Sequence, residues 1–425
     1  MKQQDNRNTL GEAGKYIKVL QIGEGRLLRT LIEPIIMQLI EKGWDGYVAV
    51  TNIRPNGTKV IKGLQEQGNK YNVILRDETS FCITEINFII PLNLEENWKE
   101  ILAISNSSTL EAIVCNSTEK GYVLDYSAFT PDKKQPINFI GTLTMILYMR
   151  FLANHQKQIL ILPTELIPRN GELLRDHILE QVKLWKLDSH FHTWMSLFVK
   201  FKNTIVDRIS IQVKTDNEIS FIEKMKGYID SYVTLGEKFG RWYIEGNKSE
   251  LMKLPLFKAS EVILVDDIEP YQSMKLWILN GAHLFMACAG INKNLKTIYE
   301  VSKNQEIMTI VYSFWSDIGT YINLPQKIIN DFIDTTLNRF QQQWIQHELS
   351  SIAINIPEKW KIRLGTFLEI YYKRENKYNL NVQKMTIEII KFVSNSNSIT
   401  LSNSFSLLTK DKFFIKSCFD LIDKQ

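Results

Sequence analysis

The strongest constraint on the fold of this chain is a junction near its amino terminus. Lys18-Val-Leu-Gln-Ile22 has the apolar character of a short buried strand and passes directly into Gly23-Glu24-Gly25. Behind it, Leu31, Ile35, Leu39 and Ile40 follow a helical apolar period. Strand, Gly-x-Gly, helix is the opening of a dinucleotide-binding unit. The first glycine permits a tight turn, the second lets the backbone approach a pyrophosphate, and the helix N-terminus favours its charge. The third glycine of the usual fingerprint is replaced by Leu28. A bare Gly-x-Gly also fits a plain turn, and its place behind the first strand is what favours the nucleotide reading. Pro34, inside the expected helix, should kink or restrict it at the preceding turn.

The alternation continues. Tyr47-Val-Ala-Val-Thr51 reads as the next strand and ends in Asn52-Ile-Arg54, with no acidic residue where one often grips the ribose of NAD. Arg54 suits either a 2′-phosphate or the border of an adenosine, so NAD and NADP both stay open. Ala112 to Cys115 is a strand running out into Thr118-Glu119-Lys120-Gly121-Tyr122. Glu119 is a candidate site residue there, and equally fits a solvated strand end. Ile137 to His155 and Gly171 to Trp185 read as helices, Gln158 to Leu162 and Thr204 to Gln212 as strands. The alternation of Tyr, Phe, Ile and Thr with polar residues between Val73 and Leu94 suggests an antiparallel addition to the sheet. Residues 1–265 are therefore expected to form an α/β, Rossmann-type doubly wound sheet domain. After Tyr271 the strand signals fade, and apolar-periodic stretches at 275–291, 294–303, 326–345, 359–373 and 382–394 predict a mainly α-helical domain over 266–425. Asn395 to Ser402 reads as a loop.

A chain of 425 residues is long enough for two such domains. With 51 basic against 47 acidic residues, its charge is near balance and points to neither nucleic acid nor a membrane surface. No apolar run in the sequence reaches the roughly 18–20 residues of a membrane span, and the polar first residues do not resemble a signal peptide. Cys82, Cys115, Cys288 and Cys418 are widely spaced, and the six histidines form no metal-ligand spacing. Reduced thiols in a metal-free cytoplasmic protein with a small-molecule ligand are the expectation.

One segment carries chemistry. Lys275-Leu-Trp-Ile-Leu-Asn280-Gly-Ala-His283 follows the acidic Asp266-Asp267-Ile-Glu-Pro270-Tyr271. At roughly 100° per residue, His283 lies about 80° and Asn280 about 140° round a helix from Lys275, so one broad face presents all three. A semi-buried lysine exchanges protons near neutrality, a carboxamide stabilises a forming alkoxide, and an imidazole orients the same group. The spacing alone equally fits a helix with a snorkelling lysine and a packed histidine.

Ordered motifs resolve that ambiguity. Gly23-Glu-Gly25 with Arg29, Thr118-Glu119-Lys120-Gly121-Tyr122, Asp207-Arg208-Ile209, and Lys275 with Asn280 and His283 resemble the mannitol dehydrogenase family of polyol-specific long-chain dehydrogenases/reductases. The resemblance implies metal-independent hydride transfer with NAD (NADP not excluded), catalysis by Lys275, Asn280 and His283, and cofactor binding by Gly23, Gly25, Arg29, Arg54 and Glu119. Pro163-Thr-Glu165 to Glu172, Asn203 to Arg208, Arg339-Phe340 with His347, Ser351 to Asn355, and Lys359-Trp-Lys-Ile-Arg363 resemble the members that interconvert a keto-hexuronate and a hexonate. Asp207, Arg208, Arg339, Lys359 and Arg363 are then the expected substrate-binding residues. The guanidinium groups suit a sugar-acid carboxylate, although Arg339, Lys359 and Arg363 also fit a solvated helix face. A fructuronate, mannitol or polyol-phosphate dehydrogenase of the same family, and a non-catalytic nucleotide-binding paralogue, are the alternatives. Gln272 stands where some relatives carry a glutamate, and Gln342-Gln343 where Asn-Pro is usual.

Overall fold

The computed structural model describes every residue except 1–15, 55, 118–120, 130–134, 212, 214–215, 248–257 and 424–425. The chain divides into two compact units, Met1–Ile268 and Glu269–Gln425.

In the first unit β1 (Ile17–Ile22), α1 (Arg26–Glu41), β2 (Tyr47–Thr51), α2 (Gly57–Glu66), β3 (Tyr71–Arg76), β4 (Phe81–Ile86), β5 (Ile89–Leu92), α3 (Trp98–Ser105) and β6 (Ala112–Cys115) come first. They are followed by α4 (Phe139–Leu152), β7 (Ile159–Pro163), α5 (Asn170–Leu184), α6 (Ser189–Phe198) and β8 (Val199–Phe201). A parallel sheet runs in the order β5-β2-β1-β6-β7-β8. The chain leaves β1 toward β2 and β5 on one side, then crosses to β6, β7 and β8 on the other. That reversal opens a crevice at the carboxyl ends of β1 and β6. Strand side chains alternate between two apolar layers. Val19, Val48, Val50 and Val114 pack on one face, and Leu20, Ile22, Ala49 and Ile113 on the other, as a sheet covered on both sides requires.

The Val73–Leu94 region is a correction. β3 and β4 do pair antiparallel, from Tyr71 opposite Ile86 to Arg76 opposite Phe81, but they belong to a second sheet of order β10-β11-β3-β4. β5 has already filled the edge of the main sheet beside β2. The segment expected as one strand from Thr204 splits at Arg208, giving β9 (Thr204–Asp207) and β10 (Ser210–Ile211) in different sheets. α7 (Asp216–Lys226), β11 (Thr234–Glu237), β12 (Arg241–Glu245) and β13 (Val262–Val265) complete the unit, and the last two pair in a small sheet beside β9.

α1 runs unbroken through Pro34, burying Leu28, Leu31, Ile32, Ile35, Ile36 and Leu39. Proline has no amide hydrogen, so the Thr30 carbonyl four residues earlier loses its helical donor. Arg208 supplies a replacement, its Nη1 donating to that oxygen at 2.9 Å.

The second unit is helical. A continuous helix, Glu269–Asn292, is long and apolar enough to cross a membrane by length and composition, which overturns the expectation from the sequence. Its most apolar stretch is 83% buried inside the protein, so it serves as a core helix. Helices Gln305–Ile318 and Leu380–Asn397 pack against its second half. The latter extends through Asn395, so the expected loop shrinks to a turn after Asn397, closed by Ser398 in left-handed backbone.

Candidate active site

In the first unit, Gly23 has φ +132° and donates its amide to Thr51 O at 2.7 Å, and a Cβ there would stand 3.1 Å from Asn116 O. Only glycine accepts that turn. Gly25 caps the N-terminus of α1, with no heavy atom within 4 Å of where a Cβ would sit. Open space in front of unpaired helix amides, with no acidic residue in the first turn of α1, fits a pyrophosphate. A cleft of about 290 Å³ opens there, lined among others by Gly23, Gly25, Arg54, Asn116 and Ser117. Arg54 is exposed, its Nη2 3.6 Å from Glu24 Oε1.

Arg29 is expected at the cofactor but does not line this cleft. Its Nε donates to Glu24 O at 3.1 Å and its Nη1 to Tyr232 O at 2.6 Å, with the guanidinium over the Tyr71 ring. It therefore shapes the glycine loop from behind. Glu119 lies outside the described residues. Glu165 was missed as a site residue by the sequence reading. It follows the carboxyl end of β7, and its Oε1 accepts from the Ser117 amide at 2.5 Å. Burial outweighs these hydrogen bonds and pushes its carboxyl up to about 7. The available signal was its place just past an apolar strand.

Arg208 also needs correcting. Besides Thr30, it donates to Phe239 O and Lys238 O, and Glu261 lies 3.7 Å away. The side chain is wholly buried and acts as a clamp between α1 and the loop after β11. Asp207, buried at the end of β9, stands opposite Arg241 in the ladder.

The second unit brings together most of the remaining candidates. Met274–Gly281 is π-helical. Its i→i+5 bonding brings residues five apart nearly into line, so Lys275 and Asn280 are closer round the axis than the α-helical 140° expected. His283 follows at the start of the α-helical part. A second π-helical turn, Lys361–Gly365, packs against the first, and Arg363 Nη1 donates to Asn280 O at 3.2 Å. The His283 ring lies 4.6 Å from Phe340 and edge-on to His347 at 5.0 Å. Asn280 Nδ2 and His283 Nε2 are buried without a hydrogen-bond partner. Buried polar atoms left this way mark a place where a ligand or water belongs.

The electrostatics are one-sided. Burial lowers His283 well below the usual imidazole range, and His347, Arg363, Arg339 and Lys359 lower it further. Burial, then Arg339 and Lys359, bring His347 down to about 4. Burial also lowers Arg363 to about 10, and it lowers Lys359, whose Nζ donates to Ile352 O. Arg339 is buried at the end of helix Gln326–Phe340. The arginine and lysine groups acting most on His283 are thus all cationic, and Arg339 is buried rather than on a solvated face, which suits an anionic ligand.

Comparison with known proteins identifies the family. The mannitol dehydrogenase Rossmann domain matches residues 17–258, and the mannitol dehydrogenase C-terminal domain matches residues 267–400. Altronate oxidoreductase of Bacillus subtilis is 32% identical over 381 residues, covering 87% of this chain and 78% of that protein. The enzyme of the same name from Halalkalibacterium halodurans is 29% identical, covering 82% of this chain and 69% of its own length. In fold, the chain is similar to Pseudomonas fluorescens mannitol 2-dehydrogenase, solved as a ternary complex with NAD and D-mannitol. That likeness has a TM-score of 0.74 at 19% identity over 89% of this chain and 79% of that one. Two family domains in order, and relatives that are oxidoreductases along most of the chain, identify an oxidoreductase acting on a CH–OH group, and the chain belongs to the mannitol dehydrogenase family.

Proposed function

We propose that the protein is a tagaturonate reductase-like enzyme that interconverts a keto-hexuronate and a hexonate with NAD(H). The observation that carries this reading is the cationic cluster around His283, which surrounds two buried, unpartnered donor or acceptor atoms. A neutral polyol has no use for three cationic side chains, whereas a sugar acid presents a carboxylate that guanidinium forks match in two-point geometry. The altronate oxidoreductases among its relatives support the same substrate class.

Gly23 and Gly25 would hold the dinucleotide's phosphates, with Arg54 at its adenosine end. When bound, the nicotinamide supplies or accepts the hydride. In the reducing direction, Lys275 as ammonium gives its proton to the alkoxide forming at the substrate ketone. Asn280 Nδ2 donates to the same oxygen, which ends its unpartnered state. His283 stays neutral because of its burial and cationic neighbours, so it orients a substrate hydroxyl without adding charge. In the oxidising direction neutral Lys275 takes the hydroxyl proton. Arg339, Lys359 and Arg363 bind the carboxylate.

The test is steady-state assay of NADH consumption with keto-hexuronates against the corresponding neutral ketoses. A strong preference for the acids is expected. Equal or greater turnover of a neutral ketose would sink the proposal, as would a Lys275→Ala variant with near-normal turnover.

A further inference from the structure

Resting on the dinucleotide reading of the glycine-loop cleft, we propose that Glu24 reads the adenosine ribose and sets the preference for NAD(H) over NADP(H). The usual position for a ribose-binding acid is the carboxyl end of the second strand. Asn52 stands there and is already occupied. Its Nδ2 donates to Arg54 O at 3.1 Å and Thr58 Oγ1 at 3.3 Å, and its Oδ1 accepts from the Leu94 amide.

A carboxylate reaches the same corner from the opposite side of the crevice. Glu24 sits between the two glycines of the turn, lines the cleft, and is only 5% exposed. Its Cδ and Oε1 lie 2.6 Å from where a Cβ on Gly57 would be, and Asn52 Cβ lies 2.7 Å from that point. The carboxylate is therefore folded over the first residue of α2, a helix whose N-terminus has no side-chain cap, where helix amides favour negative charge. Gly57 is glycine because that approach leaves no room for a side chain. Arg54 completes the corner, 3.6 Å away with its guanidinium largely in solvent.

The chemistry follows from charge. A carboxylate accepts hydrogen bonds from the vicinal hydroxyls of an unmodified ribose and repels a 2′-phosphate. It also offsets the charge of Arg54, the one cation in the lining of this cleft among the described residues that could otherwise receive that phosphate. The identity of Glu24 thus does what an acid on β2 does in other dinucleotide sheets.

The experiment measures nucleotide binding to the full-length protein by quenching of its tryptophan fluorescence, titrating NADH and NADPH separately with no sugar present. The wild type is expected to bind NADH at least tenfold more tightly than NADPH. Glu24→Gln keeps the shape and removes the charge, and should narrow that ratio at least tenfold, mainly by tightening NADPH. Adding Arg54→Ala to it should abolish the gain. Arg54→Ala alone removes a side chain from the adenosine end of the cleft and should weaken NADPH more than NADH. An unchanged ratio in a folded Glu24→Gln variant overturns the proposal, as does a wild type that binds NADPH as well as NADH, or equal weakening of both nucleotides by Arg54→Ala. A wild type that binds neither nucleotide overturns the dinucleotide reading of the cleft and this inference with it. Binding of NADH with an unaltered ratio overturns this inference alone.

Discussion

The side-chain nitrogen of Asn280 is buried without a hydrogen-bond partner, and in the proposed mechanism the substrate oxygen supplies one. Asn280→Ala should reduce turnover on the order of 100–1,000-fold, the usual cost of removing one oxyanion donor, with nucleotide binding to the first unit unchanged. Turnover within threefold of the wild type would remove Asn280 from the mechanism. Glu165 offers a test of a different kind. Its folded carboxyl is raised from 4.5 to about 7, so ionising it costs the folded state stability. The cost is absent below about pH 4.5, grows as pH rises to about 7, and is constant beyond. Glu165→Gln should therefore gain thermal stability relative to the wild type across that window, read as melting temperature against pH, and a parallel pair of curves would contradict the burial argument. At this scale the sequence was a partial guide. Lys275, Asn280 and His283 could be picked out as residue types in a telling order. Glu165 and His347 could not be assigned roles, because burial by distant segments is what shifts their titration. Arg29 and Arg208 were misread for the same reason. A cation near a glycine turn or a strand end looks like a ligand site until backbone carbonyls are found around it.

At the scale of elements, α1 shows how a helix tolerates an interior proline. The Arg208 Nη1 that meets Thr30 O stands in for the missing amide, so Arg208→Met should destabilise the fold by about 1–3 kcal/mol per buried acceptor left unpaired. In a Pro34→Ala background part of that cost should vanish, since the restored amide at position 34 reaches the same oxygen. Urea unfolding of the four proteins in this cycle measures the coupling; strict additivity would show that the two residues do not share the carbonyl. Most helices and strands were legible from apolar periodicity, which reports the face an element buries. The π-helical turns were not. The 275–283 stretch has the same residue types whether its ladder closes at four residues or five, and the π-helical turn Met274–Gly281 packs against a second one, Lys361–Gly365, far along the sequence. The split at Arg208 was hidden likewise, because strand propensity does not say which sheet a strand joins.

For the whole molecule, pH is the simplest probe of the helical unit. His283 and His347 are both depressed below 6.5 in the folded state, the latter to about 4. The unfolded chain therefore binds protons first as pH falls. The stability these residues contribute is complete above about 6.5 and is lost progressively on acidification toward pH 4. His347→Asn should flatten the fall in melting temperature between pH 6.5 and 4, and an unaltered slope would mean that the imidazole is not held neutral as described. The division into a sheet unit and a helical unit was legible because period-two and short apolar runs give way to long helical ones near Tyr271.

The crowding of Arg339, Lys359 and Arg363 about His283 has a practical corollary for anyone handling the protein. Cationic side chains gathered in a partly desolvated space favour any small anion that settles among them. Phosphate, sulfate and citrate should raise the melting temperature and, in the same concentration range, compete with the proposed sugar-acid substrate. Catalytic constants measured in such buffers will understate the enzyme, and a zwitterionic buffer is the better choice for assay.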